Sequence, residues 1–227
     1  MVIKKFSEQF IGSSFPTRIE TESGEQFILK MHGAGNGPVS LVSEFIANRA
    51  AAELGWAVPD AKWIALPDNF PWTFGTDEFD DIVQKSYGWN LGITFIPNSQ
   101  PLPLEETHLL SHTLQNHVFT LDVFFNNVDR TSNSLNLLRD NTGKIWMTDH
   151  GSLGLFLGFS SNGCYLFKNH FFHHLPDIGE LQYDKNINNE KLFESIIYEI
   201  PEQVLTMSQI TKYDLVKIIQ GRIHALS

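Results

Sequence analysis

The segment 127–151 carries side chains that can orient a hydroxyl group and hold a metal ion. Asp129 follows a predicted helix, Asn133 and Asn136 come next, and Asp149 lies beyond two short apolar runs. A carboxylate can orient an attacking hydroxyl, while an amide oxygen and a second carboxylate can bind the metal ion that neutralises phosphate groups. The order of these residues therefore predicts the chemistry of phosphoryl transfer.

Each of these residues also has an ordinary explanation when it is taken alone. Asp129 and Arg130 could form a surface ion pair, and Asp149-His150-Gly151 could be a turn, because Asp, Asn and Gly are common in turns. What favours a catalytic site is their order, after an apolar helix and on both sides of a hairpin.

A second pair of charged residues lies nearer the N-terminus. Lys30 ends an apolar strand, and Glu44 lies in the helix that follows. A lysine held by a helical glutamate can anchor the phosphates of a nucleotide, although both residue types are also common on solvated surfaces. The pair supports phosphoryl transfer only together with the Asp and Asn residues.

Hydrophobic periodicity predicts the elements that position these residues. Alternating and β-branched residues predict a hairpin with strands at 17–21 and 25–31, and apolar residues at four-residue steps predict a helix at 39–54. Further strands are predicted at 63–66 and 91–96, on either side of a polar and acidic insertion.

A segment rich in proline and polar residues, 98–103, separates this region from a largely helical one. The elements predicted there are a long helix at 104–125, strands at 135–138 and 145–147, and helical structure at 189–226. The chain is therefore predicted to have an α+β fold of two lobes. Residues 1–97 form an N-lobe of antiparallel sheet and helix, and residues 98–227 form a mostly helical C-lobe with a catalytic hairpin.

Composition narrows the function classes. The 227 residues have a formal net charge of −10 and no basic stripe, which argues against nucleic-acid binding as the main task. The single cysteine, Cys164, excludes an intrachain disulfide and a zinc site of cysteines. No stretch approaches the ~20 apolar residues of a membrane span. We expect a cytoplasmic protein that binds neither membranes nor nucleic acid directly.

The order of these motifs resembles the HipA-like kinases, in particular their compact branch, and more distantly the phosphatidylinositol-kinase-like and protein-kinase-like groups. The segments that carry the resemblance cover most of the chain: Gly12 to Ser14, Lys30, Asn36-Gly37-Pro38, Glu44, Val58-Pro59, Gly92 and 127–151.

The resemblance implies a serine/threonine-type kinase that uses ATP and Mg²⁺. It makes Asp129 the catalytic carboxylate, Asp149 a metal ligand, and Lys30, held by Glu44, the phosphate-binding lysine. The remaining residues that it assigns to nucleotide binding are Gly12, Ser13 and Ser14 before the first hairpin strand, and Phe95 and Ile96 before the lobe boundary.

One departure from the kinase pattern concerns the metal-binding asparagine. Kinases usually place it five residues after the catalytic Asp, where this chain has Ser134. Because Asn136 directly precedes an apolar strand, as kinase asparagines do, it is the preferred ligand, and Asn133 is the second choice.

The resemblance also suggests a protein substrate and a toxin-antitoxin role with an antitoxin or regulatory partner. The hydroxyls of Ser13 and Ser14, where a kinase has its phosphate-covering loop, would lie near the transferable phosphate, so self-phosphorylation there is a further hypothesis. A competing hypothesis is a pseudokinase that binds nucleotide or a partner without turnover. A third is a kinase of small molecules or lipids.

Three further features lie outside this set of motifs. The histidines at 170, 173 and 174 lie beside phenylalanines and are interpreted as a packed aromatic segment rather than a metal site. His150 is interpreted as a packing or orienting residue. Arg130 could pair with a metal-site carboxylate, bind a substrate phosphate, or lie at the surface.

Overall fold

The computed structural model describes residues 1, 3–10, 12, 14–68, 70, 76–157 and 165–227. The N-terminal part contains a five-stranded antiparallel sheet with the strand order β1-β2-β3-β5-β4. Its strands are β1 (Ile3–Gln9), β2 (Thr17–Thr21), β3 (Gln26–Lys30), β4 (Ala61–Leu66) and β5 (Gly88–Thr94). Four of them were predicted from the sequence.

Strand β1 was not predicted because its pattern is irregular. Ile3 and Phe6 are buried while the residues between and after them are exposed. The pairing of β1 with β2 shifts register twice, between Ile3 and Lys5 and between Phe6 and Glu8. Such bulges break the two-residue alternation by which a strand is recognised.

Helix α1 (Pro38–Glu53) follows β3 and is apolar on most of its circumference. Proline at its first turn suits the fixed backbone angle needed there, and Gly55, with φ 73°, takes the left-handed conformation just after its end. The helix packs against β4 and β5 on one side and against C-terminal helices on another. It therefore lies inside the molecule.

The acidic segment around 77–81, expected as an insertion between two strands, does lie between β4 and β5, and it is helical. It forms helix α2 (Asp77–Lys85), whose first turn is capped by the Thr76 side chain. Acidic residues in the first turn interact favourably with the helix dipole. The buried Phe79 and Val83 pack beneath the sheet.

The predicted helix at 104–125 consists of two pieces. A 3-10 helix (Leu104–Leu109) comes first, Leu110 is extended, and helix α3 (His112–Phe125) begins after Ser111, whose hydroxyl accepts a hydrogen bond from Leu114 N. Capping by Ser111 stops the first piece from continuing into the second, since a cap residue has non-helical backbone angles.

A small three-stranded sheet, β6 (Gln100–Pro101), β7 (Leu137–Arg139) and β8 (Ile145–Met147), lies after the predicted lobe boundary. The β7–β8 hairpin, predicted at 135–147, is confirmed. The Asp140 carboxylate organises its turn by accepting hydrogen bonds from Thr142, Lys144 and Trp146.

The remaining regular elements of the described chain are helical. Its elements are 3-10 helices at Leu153–Phe156, Phe171–His174 and Lys185–Ile187, and helices α4 (Leu166–Asn169), α5 (Glu190–Tyr198), α6 (Glu202–Ser208) and α7 (Lys212–Leu226). Pro201 precedes α6 and Gln209 ends it in the left-handed conformation, so the helical structure predicted at 189–226 consists of three helices.

One apolar core joins both parts of the chain. It contains Phe45 and Ile46 of α1, Phe124 of α3, and Phe193 and Ile197 of α5. A smaller cluster lies between the five-stranded sheet and α2. Among the described residues, no helix is both long enough and apolar enough to cross a membrane.

Candidate active site

Lys30 and Glu44 form a buried ion pair between β3 and α1. The Lys30 Nζ atom lies 2.6 Å from Glu44 Oε1 and 2.7 Å from Oε2, and the two side chains are 12% and 3% exposed. Burial raises the pKa of Glu44 above its ordinary value, although the Lys30 charge opposes the shift. The sequence proposed this pair, and the structure brings the two residues together.

Lys30 also reaches Asp149, 119 positions along the chain, with an Nζ to Oδ1 distance of 2.8 Å. The positive charge of Lys30 is the main reason that the pKa of Asp149 lies below its ordinary value. Burial alone would lower the pKa of Lys30, but the charges of Glu44 and Asp149 outweigh it and raise that pKa. One ammonium therefore holds two carboxylates from separate parts of the chain.

The hairpin places Asn136 beside the residue that precedes Asp149. The carbonyl oxygen of Asn136 accepts hydrogen bonds from the Thr148 backbone N–H, at 2.9 Å, and from its hydroxyl, at 3.2 Å. Asn136 and Asp149 both have positive φ, 50° and 57°. This conformation, which Asn and Asp tolerate better than most residues, turns the chain at both ends of the hairpin.

Asn133 lies in a different environment. It is exposed in the turn closed by the bridge between Thr131 and Ser134, before the hairpin begins. Ser134, at the usual kinase spacing, donates its hydroxyl hydrogen bond to Asn136 Oδ1 at 2.6 Å. Of the two asparagines, only Asn136 is tied to the strand that leads to Asp149.

Asp129 lies in the loop between α3 and β7 and is exposed. Its backbone N–H donates to Asn127 Oδ1 at 3.2 Å. Partial burial and the negative charge of Asp149 raise the pKa of Asp129 above its ordinary value. The charge of Asp149 therefore influences the ionisation of Asp129.

Gly12 and Ser14 lie in the loop between β1 and β2, rather than before the first strand of the sheet. The Gly12 carbonyl accepts a hydrogen bond from Phe15 N at 3.1 Å, which closes the loop. Thr17, where β2 begins, pairs with Leu29, next to Lys30, so the loop lies at the Lys30 end of the sheet. Ser13 lies outside the described residues.

Phe95 and Ile96 lie at the other end of β3. The Phe95 N–H donates to the Gln26 carbonyl at 3.0 Å, four residues and about 13 Å along the strand from Lys30. The Arg18 guanidinium lies 4.1 Å from the centre of the Phe95 ring. Ile28 and Lys30 are two residues apart on β3, so their side chains face the same side of the sheet. The assigned residues therefore lie at both ends of one strand, not in a single cluster.

His150 and Gly151 pack tightly behind Asp149. His150 is 1% exposed and neither ring nitrogen has a hydrogen-bond partner among the described residues, as expected for a packing residue. Burial is the main cause that lowers its pKa to about 4, so its ring is neutral at pH 7. A side chain at Gly151 would come within 3.1 Å of Glu44 Oε2, so glycine allows the close approach of this segment to α1.

Two residues of this region were missed or misjudged from the sequence. Arg130 is buried and pairs with Asp122 of α3, rather than with a metal-site carboxylate or at the surface. His170 packs edge-on against Phe119 and Phe172, as the aromatic interpretation predicts, but it also bonds to Asp122. A signal was present in the sequence, because Asp122 is an acidic residue inside an otherwise apolar run.

The donor atoms near the hairpin suit a small divalent cation. Asp149 supplies a carboxylate that is 60% exposed, and Asn136 supplies an amide oxygen. Mg²⁺ is commonly held by one or two protein carboxylates and by phosphate oxygens, rather than by a full cage of side chains. Within the described part of the chain, no group of three or more His, Cys, Asp or Glu residues could hold a metal ion by itself.

Comparison with protein families identifies the chain. The model of the HipA-like kinases matches residues 2–213. This chain belongs to the HipA-like kinase family. The family consists of kinases, so a phosphotransferase that uses ATP, usually with a divalent metal, is the general activity that the match supports.

A solved structure supports a kinase-like fold for this HipA-like kinase. The Golgi casein kinase is 11% identical, with a TM-score of 0.53, and the match covers 98% of this chain and 71% of that one. The Helicobacter pylori proinflammatory kinase CtkA is 14% identical, with a TM-score of 0.49, and 98% and 97% of the two chains are covered. No curated protein matches by sequence.

Proposed function

We propose that this HipA-like kinase transfers the γ-phosphoryl group of ATP to a serine or threonine hydroxyl of a protein. The observation that carries the proposal is the contact of Lys30 with both Glu44 and Asp149. Three segments that are distant in sequence converge there, with Asp129 within electrostatic reach. Kinases need this set of groups around the phosphates and the acceptor hydroxyl.

In the proposed reaction, the acceptor oxygen forms a bond to the γ-phosphorus while the bond from that phosphorus to the β-phosphate oxygen breaks. ADP leaves with the bonding electron pair. The Asp129 carboxylate orients the hydroxyl and accepts its proton. The raised pKa of Asp129 makes it a better proton acceptor than an ordinary aspartate.

Lys30 binds phosphate oxygens in this proposal, while Glu44 keeps its ammonium in place from the side of α1. Asp149 and Asn136 hold Mg²⁺. When bound, the cation neutralises charge on the phosphates. Because Lys30 contacts Asp149 directly, part of that contact would be replaced by contacts to phosphate and metal when nucleotide is bound.

The acceptor class rests on the family and not on a feature of the cleft. The toxin-antitoxin role, with an antitoxin or regulatory partner protein, has the same basis. Self-phosphorylation at Ser13 or Ser14 is proposed because Gly12 and Ser14 lie in a loop at the Lys30 end of the sheet. Mass spectrometry after incubation with ATP and Mg²⁺ tests it, and two unmodified serines would reject it.

The main test measures transfer of ³²P from ATP to the chain itself and to a generic protein acceptor. Asp129→Asn and Asp149→Asn should each lower the rate by about 100-fold or more, the scale of a lost acid-base or electrostatic group. Asp81→Asn, at an exposed position on α2, is the matched control and should keep the wild-type rate.

A nucleotide-binding regulator would behave differently in the same samples. ATP with Mg²⁺ would raise the unfolding temperature, because a ligand that binds only the folded state stabilises it. Wild-type protein that is stabilised in this way but transfers no phosphate would contradict the proposed function and favour the regulator. So would an Asp129→Asn variant with full activity.

A further inference from the structure

The most buried charged group of the C-terminal part is Asp122, in the last turn of α3. Its side chain is 0% exposed, and phenylalanines and valines surround it in the sequence. A charge in such a place is costly unless it is fully hydrogen-bonded. The proposed reaction gives Asp122 no direct role, so its retention needs an explanation.

The two oxygens of Asp122 accept four hydrogen bonds from three residues. Oδ1 accepts from Asn127 Nδ2 at 3.0 Å and from Arg130 Nη2 at 3.2 Å. Oδ2 accepts from Arg130 Nε at 2.5 Å and lies 2.9 Å from His170 Nε2. All the acceptor positions of a carboxylate are thus used.

One branch of this network leads to Asp129. Asn127 donates to Asp122 with its amide nitrogen and accepts the Asp129 backbone N–H with its amide oxygen, at 3.2 Å. Since an amide cannot turn over without losing both bonds, Asp122 fixes which way Asn127 points. The backbone of Asp129 is thereby held at the end of α3.

The other branch leads to the hairpin. Arg130 uses its remaining nitrogen, Nη1, to donate to the carbonyl oxygens of Leu135 and, at 3.3 Å, Asn136. The same Asn136 oxygen accepts from Thr148, next to Asp149. The guanidinium therefore joins Asp122 to the backbone that carries the proposed metal ligands.

His170, which precedes the 3-10 helix Phe171–His174, is hydrogen-bonded to the same carboxylate. Its Nδ1 accepts the Phe172 backbone N–H at 3.2 Å, so the ring proton lies on Nε2 and donates to Asp122. The neutral ring suffices for both bonds.

We propose that Asp122 is a positioning residue for phosphoryl transfer, which sets Asp129 through Asn127 and Asn136 through Arg130. This inference rests on the proposed function of those two residues. It predicts that the branches can be separated: Asn127 governs turnover, whereas Arg130 governs metal affinity as well. Substitution of a residue that hydrogen-bonds to a metal ligand commonly lowers metal affinity or activity by about 10–100-fold.

The experiment measures kcat, KM for ATP, and the affinity for Mn²⁺, by electron paramagnetic resonance, with a non-hydrolysable ATP analogue bound. Asp122→Asn should lower kcat by at least about 10-fold and weaken Mn²⁺ binding by about 10-fold, with KM for ATP within about 2-fold of wild type. Asn127→Ala should lower kcat alone, and Arg130→Met should lower both kcat and Mn²⁺ affinity.

The matched control is Gln115→Leu. Gln115 is also buried on α3 and bonds to the Leu110 carbonyl and the Gly179 N–H, far from the loop. It should lose stability without changing kcat or Mn²⁺ affinity. An Asp122→Asn variant that is destabilised like this control but keeps both quantities would overturn the inference.

If Asp122→Asn does not fold, Asn127→Ala and Arg130→Met test the inference without it. Equal effects of these two variants on kcat and on Mn²⁺ affinity would reject the two-branch arrangement. A wild-type chain without turnover would contradict the proposed function, while the Mn²⁺ affinities of the same variants would still support or overturn the inference.

Discussion

Lys30 is the residue at which three segments of the chain meet. It has two carboxylate partners, one buried and one largely exposed. Under the proposed function, Asp149 would exchange Lys30 for a metal ion, while Glu44 is buried and would keep the lysine in place. The two contacts would then have different roles.

Substitution of this lysine tests the phosphate-binding role. Lys30→Met should lower phosphate transfer by at least about 100-fold, because a preorganised positive charge is lost from a site where negative charge develops. Lys62→Met, on β4 with its side chain 41% exposed, is the control and should stay within about 2-fold of wild type in the same ³²P assay. A Lys30→Met variant with more than about a third of the wild-type rate would be inconsistent with this role.

The environment of Asp122 should make the free energy of unfolding depend on pH. Burial would raise its pKa, but Arg130 and His170 outweigh burial and hold the pKa far below its ordinary value. A carboxyl group whose pKa is lowered on folding stabilises the fold above its unfolded pKa of about 3.9, and this contribution is lost as the pH falls toward the folded pKa.

Urea unfolding between pH 7 and pH 3 measures this contribution. Asp122→Asn should be less stable than wild type by about 3 kcal/mol at pH 7, the scale of a broken buried ion pair. The difference should stay constant down to about pH 4 and shrink below it. A difference that stays constant to pH 3 would show that the Asp122 carboxylate is not stabilised by its partners.

At the scale of elements, the segment after Asp149 is held by α3 and α7. The 3-10 helix Leu153–Phe156 lies against the end of α3, where Asn126 takes the left-handed conformation with φ 50°. Arg222 of α7 donates to the carbonyl oxygens of Leu155, at 3.1 Å, and Leu157, at 2.8 Å. The C-terminal helix thus fixes a segment that continues directly from the proposed metal ligand.

Gly154 is the position where this packing is tightest. A Cβ atom there would lie 1.9 Å from the Asn126 carbonyl oxygen and 2.9 Å from that of Phe125, and backbone atoms cannot move aside cheaply. Gly154→Ala should therefore destabilise the fold by about 1–3 kcal/mol, the usual cost of overpacking, and should lower phosphate transfer.

Gly221→Ala in α7 is the matched control. Apart from the adjacent residues and the helix's own backbone, no described atom lies within 4 Å of a Cβ built there, so the change should stabilise the helix by up to about 1 kcal/mol. Chemical unfolding of both variants measures the two effects, and equal effects of the same sign would refute the packing argument.

At the scale of the whole molecule, the two predicted lobes share one core. Helix α1 lies before the predicted boundary at 97/98, yet it packs against α3, α5 and α6 beyond it. Arg49 of α1 also pairs with Glu199, at 3.3 Å, across the same division. The boundary itself stays a prediction from the sequence, and the shared core argues that neither side is stable alone.

Calorimetry and a fragment test this cooperativity. The full chain should unfold in a single transition with equal calorimetric and van't Hoff enthalpies, because breaking either side exposes the apolar surface of α1. A fragment of residues 1–97 should lack the dispersed NMR spectrum of a folded protein. Two separate transitions, or a folded fragment, would show independent lobes.

The sequence by itself determined the order of the functional groups and most of the elements. The hairpin between Asn136 and Asp149 and four strands of the main sheet follow from local patterns, whereas the pairing of Lys30 with Glu44 was expected from the kinase resemblance. Such patterns are reliable because periodicity and turn residues act over a few positions. A position before a strand also favoured Asn136 over Asn133.

Only the tertiary structure decided which polar groups meet. Asp122 and His170 are 48 positions apart, and nothing local to either residue predicts their contact. Strand β1 was not predicted because bulges hide its two-residue alternation. Helix α2 was not predicted because acidic residues dominate its sequence. Asp122 and His170 are part of a hydrogen-bonded network because a charge removed from water needs partners, and the fold determines which residues these are.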